Sequence, residues 1–284
     1  MRKLDTLVFL SSDGFGVRIA TVMRAAFPHI RWAALTQPDR PKGRGQTMAA
    51  TPFKNWAEGE HIPVYTPSTK AEIIQTICDL DPDLIVMASY GQIVPAQVTD
   101  SFFCLNIHPS LLPAYRGATP VQTVLRNGDS VTGVTLMRAD SGMDTGEILR
   151  QQPLPIAVDD TYGTLLEKLA ELASGMAIDF IRHDFIPDRI TATPQDNLRA
   201  TYTSLIKKSD TELLETDTAV IRFNKIRAYS PTPGAYLIQN GQRIQIIRAM
   251  LNEGRLIPLD VKPEGKRVMS YADYLLGNPD GLVL

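Results

Sequence analysis

Asn106 and His108 stand two residues apart in the run Leu105-Asn106-Ile107-His108, and Asp144 sits in the loop Asp140-Ser141-Gly142-Met143-Asp144-Thr145-Gly146. On an extended chain, positions two apart project to the same side. An amide, an imidazole and a carboxylate together suit the transfer of a carbonyl group to an amine. As the amine attacks, negative charge develops on the carbonyl oxygen and the nitrogen must shed a proton. Asn106 can donate to that oxygen. An imidazole ordinarily titrates near neutral pH, so His108 can donate to the oxygen as well or carry the proton. Asp144 can orient and charge-tune the imidazole, or take the proton through a water. Singly, each residue has an ordinary reading: a turn cap, a bonded core histidine, an Asx-turn. The combination of a polar pair on an apolar strand with an aspartate between glycines asks for more. Glycines let the backbone approach a ligand closely.

Such groups need a rigid carrier. Leu4–Leu10, Ile30–Thr36, Asp83–Ser89, Phe103–Ile107 and Gly133–Met137 read as short apolar strands, with helices expected at Gly16–Ala26 and Thr69–Leu80. Strands alternating with helices imply an α/β fold with a parallel sheet, which binds ligands beyond its carboxyl edge. Leu165, Leu169, Leu172, Ala173, Met176 and Phe180 mark one face of a helix over Thr161–His183, with Thr164 and Glu167 as a capping box. Phe185–Thr201 has no periodicity and reads as a linker. After Arg199 the texture changes to a short helix (Thr218–Ala228), strands Ala235–Gln239 and Arg243–Met250 joined by Asn240-Gly241, a strand Ile257–Val261 and a final helix Ser270–Leu276. Asn-Gly is a strong hairpin signal. The expected division is residues 1–185, a linker 186–202, and a small β-barrel module 203–284.

The 284 residues are 44% hydrophobic and 21% charged, with a net charge of −2, an ordinary globular composition that excludes a disordered chain, a fibre or a coiled coil. Cys78 and Cys104 read as reduced core thiols, and the four histidines form no ligand pattern, so no metal is expected. No run approaches the ~20 apolar residues of a membrane span, and the N-terminus lacks a signal pattern. A cytoplasmic protein with no membrane partner is expected. Between Arg222 and Arg267 nine basic residues face three acidic ones, a surplus of six that leaves −8 on the remainder. A basic module on an acidic body fits a polyanion partner, or a merely solvated face. No GxGxxG follows Leu4–Leu10, which argues against a nicotinamide enzyme.

With these residues in view, the chain resembles the 10-formyltetrahydrofolate-dependent formyltransferases, in particular those acting on methionyl-tRNA. Asn106, His108 and Asp144 match the family's catalytic triad, and Ser110-Leu111-Leu112-Pro113 its folate-binding SLLP motif. Tyr90-Gly91-Gln92-Ile93-Val94-Pro95 is similar to the loop lining the folate pocket, and the Asp140–Asp144 loop with Gly142 to its partner. Thr36–Gly45, carrying Arg40, Lys42 and Arg44, resembles the loop that grips the acceptor stem, and Arg227 lies in a run like the family's tRNA-contacting C-terminal module. The resemblance implies a doubly wound, mostly parallel, Rossmann-like sheet with a smaller OB-like barrel. It implies 10-formyltetrahydrofolate as formyl donor and initiator methionyl-tRNA as acceptor. A small amine, on a sugar nucleotide or glycinamide ribonucleotide, is the alternative acceptor, and a silent tRNA- or folate-binding protein the alternative class. The chain departs from the family at Ser11-Ser12-Asp13, where a Gly-Thr-Pro turn is usual, at Pro109, and in a short stretch between Met250 and Leu259. The last predicts a barrel lacking one or more strands.

Overall fold

A computed structural model describes residues 4–42, 46–185 and 190–284. The chain opens with β1 (Thr6–Leu10), α1 (Gly14–Ala26) and β2 (Arg31–Leu35). A small hairpin of β3 (Arg40–Lys42) and β4 (Thr47–Ala49) leads to α2 (Pro52–Gly59), β5 (Val64–Tyr65) and α3 (Lys70–Leu80). Then follow β6 (Leu84–Met87), α4 (Ala96–Ser101), β7 (Cys104–His108), α5 (Pro120–Asn127), β8 (Val131–Arg138), β9 (Ile148–Pro155) and α6 (Tyr162–Asp179). The C-terminal part holds α7 (Ala219–Tyr229), β10 (Ala235–Gln239), β11 (Gln242–Asn252), β12 (Arg255–Pro263), β13 (Met269–Ser270) and α8 (Tyr271–Gly277).

Seven strands form one sheet in the order β5-β2-β1-β6-β7-β8-β9. β1 pairs in parallel with β2 and β6, β6 with β7, and β8 runs antiparallel to β7. The five residues of β1 are all buried, which explains the unbroken apolar run Leu7–Leu10. Val8, Leu10, Leu35, Ile73, Ile77, Ile85, Val98 and Cys104 build a core against it. Burial pushes the Cys104 thiol up to about 12, so it packs as a small apolar group and is no nucleophile. The chain leaves β1 towards β2 and β5, then returns to β6 on the other side of β1. That reversal falls at the carboxyl ends of β1 and β6, the usual place for a ligand in such sheets. Asp13 caps α1 there by accepting from the amides of Phe15 and Gly16.

The stripe expected on α6 is present, with Leu165, Leu169, Ala173, Met176 and Phe180 buried, and a π-helical turn Phe180–Asp184 continues it. Its expected capping box is not. Glu167 is instead held by Arg18 at 2.6 Å, while Thr164 Oγ1 donates to Asp160 Oδ1 at 3.0 Å. The segment expected as a linker contributes structure of its own. Ile148 and Thr193 exchange two backbone hydrogen bonds of 2.8 Å, and Asn197–Arg199 forms a 3-10 turn.

By contacts the chain forms two compact units: residues 1–118, 133–154 and 167–202, and residues 119–132, 155–166 and 203–284. The second carries an antiparallel sheet in the order β10-β11-β12-β13. Asn240 and Gly241 close its first hairpin with φ of 52° and 72°, as a mirror-image type I turn requires. Much of the basic surplus is taken up inside this unit. Arg222 donates to the Leu214 carbonyl, Lys225 pairs with Asp217 at 2.6 Å, Arg243 lies 3.8 Å from the Tyr236 ring centre, and Arg248 pairs with Asp260. Arg227 corrects an expectation. It is only 8% exposed, donates to Asn224 Oδ1 at 2.9 Å and to the Ala157 and Asp160 carbonyls at 3.4 Å, and faces Phe223. A guanidinium so occupied braces its own unit and is not available to a phosphate. Between Arg222 and Arg267, Arg248 stays exposed despite its pairing, as do Arg255, Lys262, Lys266 and Arg267.

Candidate active site

β7 ends in the polar pair at its carboxyl end, the edge of such a sheet that ordinarily meets ligands. Cys104, Leu105, Ile107 and His108 are buried, and Asn106 is half-buried. The Asp140–Gly146 loop then brings Asp144 to the same point. Asn106 Nδ2 donates to Asp144 Oδ1 at 3.3 Å, and His108 Nδ1 stands 3.6 Å from that same oxygen. The other carboxylate oxygen, Oδ2, accepts from the Gly117 amide at 2.8 Å. His108, 5% exposed, has its Nε2 2.9 Å from the Tyr115 carbonyl oxygen. A carbonyl can only accept, so in the neutral ring Nε2 carries the hydrogen and Nδ1 presents its lone pair beside a carboxylate. A proton taken up at Nδ1 would meet a waiting negative charge. The second hydrogen of the Asn106 amide has no partner among the described residues, which leaves a donor for a developing oxyanion.

The loops around the pair hold themselves in place. Asp144 has a φ of 54°, a left-handed conformation rare for a side chain other than glycine. Asp140, exposed, accepts from Thr145 Oγ1 at 2.8 Å and from the Gly142 amide at 3.0 Å, which closes the loop. A Cβ on Gly146 would overlap the Arg138 carbonyl oxygen, so this position tolerates only glycine. Gly146→Ala is expected to cost about 1–3 kcal/mol, the usual range for overpacking. Urea unfolding checks it, and an unchanged midpoint would show that the loop yields freely.

After β7, Ser110 turns inward and donates from Oγ to the Ala114 carbonyl at 2.6 Å, and Leu112 is buried. Leu111 and Pro113 stay partly exposed, and the Leu112–Pro113 peptide is cis. Thr135 and Gln151 anchor this turn, although nothing local in the sequence marked them. Thr135 Oγ1 accepts from the Leu112 amide at 3.1 Å and donates to the Ser110 carbonyl at 2.6 Å, and Gln151 Nε2 donates to the Leu112 carbonyl at 2.7 Å. After β6 the Tyr90 carbonyl accepts from Ser12 Oγ at 2.7 Å and Gln37 Nε2 at 3.0 Å. The unusual Ser11-Ser12-Asp13 segment therefore ties down the Tyr90–Pro95 loop. The Tyr90 ring is buried, and burial pushes its phenol well up. Gly91 has a φ of 76°, and a Cβ there would overlap the Gln37 side chain. Ile93 and Met143, one on each loop, are 63% and 60% exposed.

The formyl transferase family profile matches residues 7–181. The methionyl-tRNA formyltransferase of Kosmotoga olearia is 41% identical over 75% of this chain and 70% of its own. That of Moorella thermoacetica is 33% identical over 96% of both chains. The chain belongs to the methionyl-tRNA formyltransferase family. At the level of fold alone it is also similar to an N-formyltransferase from Helicobacter canadensis solved with folinic acid and dTDP-3-aminofucose, with a TM-score of 0.63, 21% identity, and coverage of 87% of this chain and 88% of the other.

Seen as a formyltransferase, the chain gathers Asn106, His108 and Asp144 at one point and flanks them with the SLLP turn and the Asp140–Gly146 loop. Of the residues expected to meet tRNA, Arg40 is exposed on the β3–β4 hairpin, whose base is braced by Lys54 and Asp39 at 2.9 Å. The Lys42 side chain and Arg44 lie outside the described residues. No group of three or more His, Cys, Asp or Glu among the described residues is placed to hold a metal ion. No described helix is long and apolar enough to cross a membrane.

Proposed function

We propose that this chain transfers the formyl group of 10-formyltetrahydrofolate to the α-amine of initiator methionyl-tRNA, giving N-formylmethionyl-tRNA and tetrahydrofolate for translation initiation in the cytoplasm. One observation carries the chemistry. His108 Nδ1 stands 3.6 Å from Asp144 Oδ1, beside an Asn106 amide with a hydrogen to spare. A carbon–nitrogen bond to the α-amine forms while the bond from that carbon to N10 breaks. His108 takes the proton that the attacking amine loses. Asp144 steadies the imidazolium, and the same proton passes to the departing nitrogen. Asn106 donates to the carbonyl oxygen while it carries charge. A free α-amine ordinarily titrates at about pH 7.7–8.0, so part of it is already nucleophilic at neutral pH.

The residues suit a flat folate ring. Ile93 and Met143 offer exposed apolar surface on two loops, and Gly91 keeps one of those loops close to its neighbours. Among the proposed folate contacts, Ser110, Leu112 and Asp140 shape the loops, while Tyr90, Gly91, Ile93, Leu111, Pro113 and Gly142 line the site. The acceptor is argued by identity to the methionyl-tRNA enzymes over nearly the whole chain. The shared fold with an enzyme solved with an amino-sugar nucleotide does not choose between acceptors. Incubating the protein with 10-formyltetrahydrofolate and either methionyl-tRNA or an amino-sugar nucleotide decides it. Formyl incorporation into the sugar alone would overturn the tRNA assignment.

Tracking of the acceptor stem falls to Arg40, Lys42 and Arg44. Arg40→Ala and Arg44→Ala should each raise the KM for tRNA several-fold and lower the salt slope of binding by about 1. The KM for folate should not move. An equal loss of folate affinity would remove these residues from the RNA-binding set.

A further inference from the structure

Gln195 lies in the segment that the sequence offered only as a linker, yet it meets the catalytic loop directly. Its Nε2 donates to the Asp144 carbonyl at 2.9 Å and the Gly146 carbonyl at 2.7 Å. Its Oε1 accepts from Arg116 Nε at 3.1 Å and Nη2 at 2.8 Å. Both hydrogens and both lone pairs of one carboxamide are therefore in use. Arg116 is 1% exposed and also donates to Asn197 Oδ1 at 2.9 Å and Tyr202 OH at 3.2 Å. Its neighbours in sequence are the two groups that orient the catalytic pair. The Tyr115 carbonyl meets His108 Nε2, and the Gly117 amide meets Asp144 Oδ2.

We infer that Gln195 is a positioning residue that locks the Asp144 loop to the Tyr115–Gly117 loop, so that carboxylate and imidazole keep one geometry through turnover. The role rests on Asp144 and His108 being the proton-handling pair proposed above. The physical need is plain. Asp144 holds a left-handed φ that a side chain disfavours, and such a conformation persists only when its surroundings over-determine it. The two hydrogen bonds from Nε2 clamp the backbone on either side of Thr145. A misplacement of about 1 Å at a reacting group can cost about 100-fold in rate.

The chemistry of the clamp selects the variant. Gln195→Glu keeps acceptor oxygens for Arg116, so the buried guanidinium stays matched. It replaces two N–H donors with oxygens facing carbonyls, so the grip on Asp144 and Gly146 is lost. Expected are a kcat for formyl transfer lower by about 10- to 100-fold and KM values for folate and tRNA within about 3-fold of wild type. In an Asp144→Asn background the same change should cost less than about 3-fold, because residues acting as one unit are not additive. A purely structural role would cost the same in both backgrounds. Amide hydrogen exchange supplies a readout free of activity. The Gly117 amide should exchange at least about 10-fold faster in the variant, with the β1 and β6 amides unchanged. Wild-type-like kcat, additive losses, or unaltered Gly117 exchange would each overturn the positioning role. If the wild-type chain formylates no amine, the proposed function fails, while the Gly117 exchange still decides what Gln195 does.

Discussion

Asp144→Asn should slow formyl transfer by about 10³- to 10⁴-fold, near the upper end of what acid–base groups contribute. The two carboxylate oxygens have different tasks, and an amide can perform only one. Oδ2 accepts from the Gly117 amide, while Oδ1 accepts from Asn106 and faces His108 Nδ1. If the new oxygen stays on Gly117, the new NH2 points at the Asn106 donor and at the Nδ1 lone pair, blocking the proton-accepting site. If the amide flips, its NH2 meets the Gly117 N–H head-on. In either orientation the imidazolium loses its counter-charge. The side chain keeps its size, so folate and tRNA affinities should stay close to wild type. Single-turnover formylation at saturating substrates tests this. A loss under about 10-fold would remove Asp144 from the proton path.

Asn106→Ala is expected to lower kcat by about 10²- to 10³-fold, the usual effect of deleting one oxyanion donor, or roughly 3–4 kcal/mol. The spare hydrogen of Asn106 matters only once charge develops, so the loss belongs to kcat more than to KM. Asn106 is half-buried and its bond to Asp144 is 3.3 Å long, so stability should fall by no more than about 1 kcal/mol. Kinetics and urea unfolding on the same preparation separate the two effects. A raised KM with unchanged kcat would make Asn106 a substrate-binding group and leave the oxyanion to another donor.

What the sequence made legible was whatever leaves a local trace. The five expected strands match β1, β2, β6, β7 and β8 to within a few residues because runs such as Thr6–Leu10 are wholly buried. Asn240-Gly241 announced the β10–β11 hairpin through its φ requirement. The Asn106–His108 spacing and the glycine-flanked Asp144 marked three residues that the fold then brings together. Non-local partnerships left no such trace. Glu167 looked like a helix cap, but Arg18, far away in sequence, binds it. β9 escaped notice because its Gln151-Gln152-Pro153 stretch is polar and partly exposed, as suits the last strand of a sheet. Arg227 counted as a surface cation because composition records charge and not burial. Gln195, one polar residue in an aperiodic stretch, shows its role only when Asp144, Gly146 and Arg116 are seen around it.

The interleaving of the two contact units also bears on how the protein can be taken apart. Helix α5 and residues 155–166 group with the C-terminal segment, where α5 packs on α7 and the Ala157 and Asp160 carbonyls receive Arg227. No single scission of the polypeptide can therefore yield two self-sufficient fragments. A chain ended after residue 202 would keep Asn106, His108 and Asp144 but would leave the buried face of α5, formed by Pro120, Val121, Val124 and Leu125, without α7. The smaller unit is thus a mosaic, knitted from three separate stretches of the polypeptide.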